Sequence, residues 1–368
     1  MKILYTLNSS NFGGMEKTVL DLVKGLPGYV KFVVCPEGDL FNDFKEFSTI
    51  YKFRPVKKFD FEYIKFLRKI IIDNDIKVVH ANEPKIVFNT LLACLFTNVR
   101  IKISHTHTPI SMWQISLPNK VLNILFNSLI VNLLSSFEIA LTDSIKQQKV
   151  KEGILPFKLR IIPNSLDPVF IKEIDNYTEN KEDKIFISKN FDKEKYTFLY
   201  LSRFTKEKNQ IVLINSFFEF LKKYPKTQLI LAGKGDDLDI LKRRIRDLNL
   251  VEHVKIISNV SERNKICLFK NCDCFIFPSL AEGFGITLLE AMYSCYPVIS
   301  SNLPVLKEVS KNKIMYFKSN NSKSLISKMV EAYSLKSSTS KLSENKDFIS
   351  ENYTIEKYIN NYMNVYKI

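Results

Sequence analysis

Short runs of β-branched and aromatic residues alternate with longer amphipathic stretches along the whole chain, and this rhythm constrains the fold more than any single motif. In the first half the runs are residues 3–7, 31–35, 77–80, 102–105 and 139–142. Strands separated by helices pair through crossover connections, so this half predicts an open parallel α/β sheet. The rhythm restarts at residues 197–202, 228–232, 254–257, 274–278 and 297–300. Two α/β units fit a length of 368 residues at roughly 150 residues per domain. The predicted boundaries are an N-terminal domain over 1–168, a linker over 169–195, a second domain over 196–350 and a final helix over 351–368. The linker is placed where charge is dense and buried-type residues thin out after Phe170. Polar residues 334–346 read as a loop. Tyr358, Tyr362 and Tyr366 recur every fourth residue and need a surface to pack on.

Charge excludes one partner class. The formal net charge is +15, yet of 54 basic residues 45 are Lys and 9 are Arg, and residues 1–167 and 168–368 carry +7 and +8. Readers of phosphate and base edges lean on Arg, so no nucleic acid is expected as partner. The six cysteines (Cys35, Cys94, Cys267, Cys272, Cys274, Cys295) lie scattered among apolar residues and read as reduced thiols of a cytoplasmic protein. Residues 1–10 read as a first strand rather than a signal peptide. Residues 121–137 are the most apolar segment, but Asn123, Asn127, Ser128, Asn132 and Ser135 recur at helical spacing, which predicts an amphipathic helix and not a membrane span.

Ligands of open parallel sheets bind beyond the carboxyl ends of the strands, so chemistry is sought in the loops that follow them. After the first strand stand Gly13 and Gly14, which would let backbone approach a phosphate at a helix start or would simply serve a tight turn. After the strand 197–202 stand Arg203 and Lys208, a guanidinium fork and a point charge suited to a pyrophosphate. The densest constellation is Glu282, Gly283, Phe284 and Gly285, with Glu290 eight residues after Glu282. That spacing is about two helical turns, and it would let both carboxylates address one elongated ligand while glycine amides meet its oxygens. A carboxylate accepts two hydrogen bonds at once and suits a pair of sugar or ribose hydroxyls. Two D-x-D patterns, Asp73 with Asp75 and Asp237 with Asp239, read as turn and helix-start charges, and no metal site is expected.

Taken in order, these motifs resemble glycosyltransferase family 4, the retaining nucleotide-sugar transferases of GT-B fold. Gly13 to Glu16 is similar to the family's G-G-x-E loop, and Val78 to Asn82 to its V-V-H-A-H, with Asn82 in place of the second His. Ile162 to Asp167 resembles I-P-N-G-V-D, Arg203 with Lys208 and Asn209 resembles R-x-x-x-x-K-N, Gly233 to Gly235 the G-x-G motif, and Glu282 to Glu290 the E-x7-E signature. The resemblance implies two Rossmann-like domains facing across a cleft, with a C-terminal helix crossing back to the first. It implies that Arg203 and Lys208 hold the donor pyrophosphate with help from Gly13 and Gly14, and that Glu290 takes the ribose hydroxyls. It places the transferred sugar on Glu282 and on the backbone of Gly283, Phe284 and Gly285. His107, in the H-x-H that ends a first-domain strand, resembles the family's histidine near the anomeric centre.

The implied reaction takes a UDP- or GDP-sugar to a glycan or lipid-linked acceptor in surface polysaccharide synthesis, with retention and without a metal or other cofactor. Residues 52–69 hold seven basic residues against Asp60 and Glu62, interleaved with aromatics. They suit either contact with an anionic membrane or an ordinary solvated helix face. A sugar-phosphate isomerase or epimerase, or a phosphorylase-like enzyme, is the alternative on the same fold.

Overall fold

The computed structural model describes residues 1–335 and 339–367. The chain divides into two compact units, one of Met1–Ser165 with the last helix, Ile355–Lys367, and one of Leu166–Thr354. The first unit holds seven strands: β1 (Lys2–Thr6), β2 (Val30–Cys35), β3 (Thr49–Lys52), β4 (Val78–Asn82), β5 (Ile101–His105), β6 (Phe137–Ala140) and β7 (Leu159–Ile161). They pair in parallel in the order β3-β2-β1-β4-β5-β6-β7. The second holds β8 (Tyr196–Leu201), β9 (Thr227–Ala232), β10 (Val254–Ile257), β11 (Cys274–Phe277), β12 (Val298–Ser301) and β13 (Met315–Phe317). These are parallel in the order β10-β9-β8-β11-β12-β13. Both units are therefore Rossmann-like, and each sheet reverses its winding direction once, between β1 and β4 and between β8 and β11.

The central strands are rich in buried apolar residues because helices cover both faces of each sheet. Ile3, Tyr5, Val33, Val78 and Ile103 form the core of the first unit. Tyr358, Tyr362 and Tyr366 from the last helix pack into that same core, which is the surface their spacing requires. Phe198, Leu229, Leu231, Ile276 and Ile299 anchor the second core. The six cysteines are free thiols; five are buried, and Cys272 is half-buried.

Four expectations need correction. The stretch 169–195 is not a linker: it folds as the helices Pro168–Asp175 and Lys181–Asn190 within the second unit. Most of its charges face outward while Phe170, Ile174, Ile187 and the ion-paired Asp183 are buried, and Asp167 and Asn180 cap the two helices. The polar segment 334–346 is helical from Thr339, in the helix Thr339–Asn352, and residues 336–338 lie outside the described residues. Residues 52–69 are not one surface helix, since a loop joins β3 to the helix Phe61–Asp73. Phe53 packs there on Tyr63 and Phe66, with ring centroids 5.1 and 4.9 Å apart, which withdraws half of the expected aromatic surface. The amphipathic segment forms the helix Leu117–Leu134, but its polarity is inverted: only Asn127 and Val131 are buried, and its leucines face outward.

Candidate active site

Every residue singled out for chemistry follows a strand near the reversal of its sheet, where two crossovers leave in opposite directions and open a crevice. In the first unit, Gly13 precedes the helix Gly14–Gly25, which Gly14 begins. The backbone of Gly13 is extended (φ −163°), so no left-handed turn demands this glycine. A side chain there would instead meet the Glu16 carboxylate.

The H-x-H at the end of β5 joins a ring stack. His80 lies 5.6 Å from His105 at 20°, and His105 lies 3.6 Å from His107 at 22°. His80 Nδ1 and Tyr366 Oη are 2.8 Å apart, and Tyr362 Oη is 3.5 Å from His105 Nδ1. His107 is half-buried and shares a hydrogen bond of 3.1 Å between its Nε2 and Asn82 Oδ1. Asn82 is oriented by its own Nδ2, which donates to the Thr6 carbonyl at 3.3 Å. Its oxygen therefore faces His107, which fixes Nε2 as the protonated nitrogen and leaves Nδ1 as a lone-pair acceptor. Burial pushes the imidazoles below their ordinary range, His80 to about 3, and for His107 the charges of His80 and Lys149 act in the same direction. The stack is uncharged at neutral pH. A buried ion pair of Glu138 and Lys149 holds the turn after β5: Glu138 Oε1 accepts from Thr106 N at 3.1 Å and Lys149 Nζ donates to Thr106 O at 2.7 Å.

The second unit presents ions. Arg203 is exposed, and its carbonyl accepts from Tyr200 Oη (3.0 Å) and Gln210 Nε2 (2.8 Å), which fixes the backbone and leaves the guanidinium in solvent. Lys208 ends the short turn Lys206–Lys208, and Leu280 N donates to Glu207 O at 2.7 Å, which ties the loop after β8 to the loop after β11. As a result Lys208 Nζ lies 2.5 Å from Glu282 Oε1, an oxygen that also accepts from Ser279 Oγ at 2.8 Å. Glu290 is gripped through Oε1 by Lys265 Nζ at 2.8 Å, and Lys265 also reaches Glu262 at 2.7 Å. Both carboxylates are buried and held as charge-assisted pairs.

The spacing of Glu282 and Glu290 is not two turns of one helix. Gly283, Phe284 and Gly285 belong to a turn, and the helix Ile286–Ser294 starts only after them. Gly285 is left-handed (φ +96°) and a Cβ there would crowd Leu306, so glycine is required at this position. Phe284 turns its ring inward onto Tyr353, 5.7 Å away, so only its backbone is available to a ligand. Gly233 and Gly235 take φ +146° and +157°, and any side chain would overlap the carbonyls of Ser202 and Phe204. The G-x-G motif thus seats the loop after β9 against the loop that carries Arg203.

Sequence reasoning missed Lys265. It lies on the buried face of the helix Glu262–Asn271, amid Ile266, Leu268 and Phe269, and a lysine in phase with buried residues is the signal that marks it. Asn82 was noted only as a departure from a family pattern, whereas it sets the tautomer of His107. Among the expected residues, Lys208 and Glu282 are in contact, and Glu290 belongs to a separate pair.

Comparison with known proteins identifies the family and the fold. The family model Glycosyltransferase Family 4 matches residues 12–170, and Glycosyl transferases group 1 matches residues 181–347. The capsular polysaccharide biosynthesis glycosyltransferase CapH of Staphylococcus aureus is 29% identical over 332 residues, 86% of this chain and 85% of CapH. The alpha-monoglucosyldiacylglycerol synthase of Streptococcus pneumoniae is 30% identical over 175 residues, 47% of this chain and 38% of that protein. Among solved structures, Anabaena HepE in complex with UDP-glucose superposes with a TM-score of 0.83 at 18% identity, covering 100% of both chains, a likeness of fold. With the two models together spanning most of the sequence, the chain belongs to the family 4 glycosyltransferases of GT-B type.

Proposed function

We propose that this glycosyltransferase moves a sugar, with retention of configuration, from a UDP- or GDP-sugar to a glycan or lipid-linked acceptor in surface polysaccharide synthesis at the cytoplasmic face of the membrane. The observation that carries the reading is the ionic cluster beyond β8 and β11, where exposed Arg203 accompanies the Lys208–Glu282 and Lys265–Glu290 pairs. In this reading Arg203 and Lys208 take the pyrophosphate, aided by the backbone of Gly13 and Gly14. Phosphate oxygens on Lys208 release Glu282 toward hydroxyls of the sugar, which the backbone of Gly283, Phe284 and Gly285 also meets. Glu290, held by Lys265, accepts from the ribose hydroxyls.

In the reaction the bond from the anomeric carbon to the β-phosphate oxygen breaks, and a bond to the acceptor oxygen forms on the same face. The acceptor proton passes to the leaving phosphate, and the reading assigns no step to a metal or other cofactor. The growing phosphate charge is offset by Arg203 and Lys208. His107, neutral and protonated on Nε2, offers Nδ1 to a sugar hydroxyl and orients it. The relatives that synthesise capsule and glucosylated diacylglycerol support an acceptor of this class.

The test is thermal unfolding with UDP, GDP, ADP or CMP, for the wild type and Arg203→Ala. A nucleotide at about a hundredfold over its Kd stabilises by about 2.7 kcal/mol, and the exposed Arg203 is expected to be needed for that shift but not for folding. No shift with UDP or GDP overturns the assignment. A glycosyl adduct trapped on a protein carboxylate overturns the same-face step.

A further inference from the structure

The helix Leu117–Leu134 is built the wrong way round for a helix facing water. Leu117, Val121, Leu125, Leu129 and Leu133 recur every fourth residue with Leu122 beside them. At about 100° per residue they fall within less than half of the helix circumference. All six are exposed, from 47% for Val121 to 71% for Leu117, while the buried residues Asn127 and Val131 occupy the opposite side. Exposed leucines scattered singly are ordinary; a continuous row of six marks a surface made for another phase.

The row continues at both ends. Beside Leu122, exposed Phe59 joins Phe88, Phe126 and Lys58 in lining a cavity of about 340 Å³. At the other end Asn132 donates to Gly153 O at 2.9 Å and accepts from Leu155 N at 3.0 Å, which fastens exposed Leu155 and Phe157 alongside. Cations lie beside the row. Lys58 lines the same cavity as Leu122, and its Nζ donates to Asn123 Oδ1 at 2.9 Å. Lys85 donates to Pro55 O at 2.7 Å, and Lys158 donates to Ser135 O just past the helix. From residue 84 to residue 137 the chain contains no Asp or Glu.

Among the described residues this is the one helix long and apolar enough to cross a membrane. Its buried side and the bonds of Asn132 instead hold it flat on the unit. An apolar row flanked by lysines and free of acids matches an anionic bilayer, with leucines entering the acyl boundary and ammonium groups staying at headgroup level. We infer that this helix is an interfacial anchor, lying in the plane of an anionic lipid bilayer with headgroups on Lys58, Lys85 and Lys158. The inference deepens the membrane-facing reading above, on which it rests, and centres the contact on residues 117–133, with Lys58 and Phe59 at its edge.

The experiment is flotation of the full chain with vesicles of phosphatidylcholine alone or with one quarter phosphatidylglycerol. The wild type should float with the anionic vesicles only, and added salt or alkaline carbonate should release it. Leu122→Ser/Leu125→Ser/Leu129→Ser should weaken flotation at least about tenfold, because it removes most of the inserted apolar area. All three leucines are exposed, so its melting temperature and its shift with nucleotide should match the wild type. A separate reporter, Leu129→Trp with Trp113→Phe, should shift its emission to the blue on anionic vesicles and not on neutral ones. Flotation equal to the wild type by the triple variant, resistance to carbonate, or no flotation with a dimer that the same substitutions dissociate each overturns the anchor. Loss of the nucleotide shift in the wild type with flotation intact strikes the donor reading alone.

Discussion

The two units both place chemistry near the reversal of a parallel sheet but fill it with opposite materials. At β4 and β5 the first unit presents neutral rings, His80, His105 and His107, each hydrogen-bonded through one nitrogen, to Tyr366, Tyr362 and Asn82. Beyond β8 and β11 the second presents ions, Lys208 with Glu282 and Lys265 with Glu290. The strand ends determine where a ligand sits, while the side chains determine which part of it is welcome. A pyrophosphate needs fixed cations, and an uncharged sugar or acceptor hydroxyl needs acceptors that do not compete by charge.

The largest effect expected from this contrast is at Lys208. Lys208→Met leaves Glu282 buried without its counter-ion, and breaking a buried pair by removing one partner costs about 3–5 kcal/mol. The double variant Lys208→Met/Glu282→Gln removes both charges and should recover most of that loss, since Ser279 still bonds the amide oxygen. Urea unfolding of the four proteins of the cycle measures it. Additive single and double losses would mean that the pair contributes no coupling, and the second unit would no longer be the ionic one.

Acid should sort the units next. His80 has a pKa of about 3 when folded against about 6.5 when unfolded. Below pH 6.5 the unfolded chain therefore binds more protons, and stability present above that pH is lost as pH falls. Between pH 6.5 and pH 5 the loss from His80 is about 2 kcal/mol, and His105 and His107, also lowered by burial, add to it with the same sign. Three of the four histidines are in this stack, so hydrogen exchange at pH 7.5 and pH 5 should show the first unit opening more easily and the second little changed. Equal loss in both units would break the contrast.

How much of this was legible follows from burial. Most strands read from the sequence are interior strands rich in buried apolar residues, and the edge strand β10 was legible through its Val254-Lys255-Ile256-Ile257 run. The three that were missed, β3, β7 and β13, are short, lie at sheet edges and keep half-exposed residues. The helix Leu117–Leu134 was legible as a helix but not in its orientation, because periodicity shows that two faces differ and not which one is covered. Lys265 escaped because its partner Glu290 is brought in from another helix. Tyr366 meets His80 across 286 residues of chain, a contact that no local spacing encodes.

The smallest expected effect tests how the neutral site is kept neutral. Asn82 is fixed by Thr6, so it can present only its oxygen to His107 Nε2. Asn82→Asp keeps the shape and gives up the bond to the Thr6 carbonyl, while the carboxylate it sets beside Nε2 favours the imidazolium that burial now disfavours. The His107 pKa should rise by about one unit, or about 1.4 kcal/mol in favour of the charged form, and NMR titration of the ring nitrogens reads it directly. Transfer should then lose activity on the acid side of its pH profile, as Nδ1 becomes a donor and ceases to accept from a hydroxyl. An unchanged titration would mean that burial alone keeps His107 neutral. Asn82 would then be a tether for the strand end, and the chemical difference between the two units would be set by depth rather than by chosen partners.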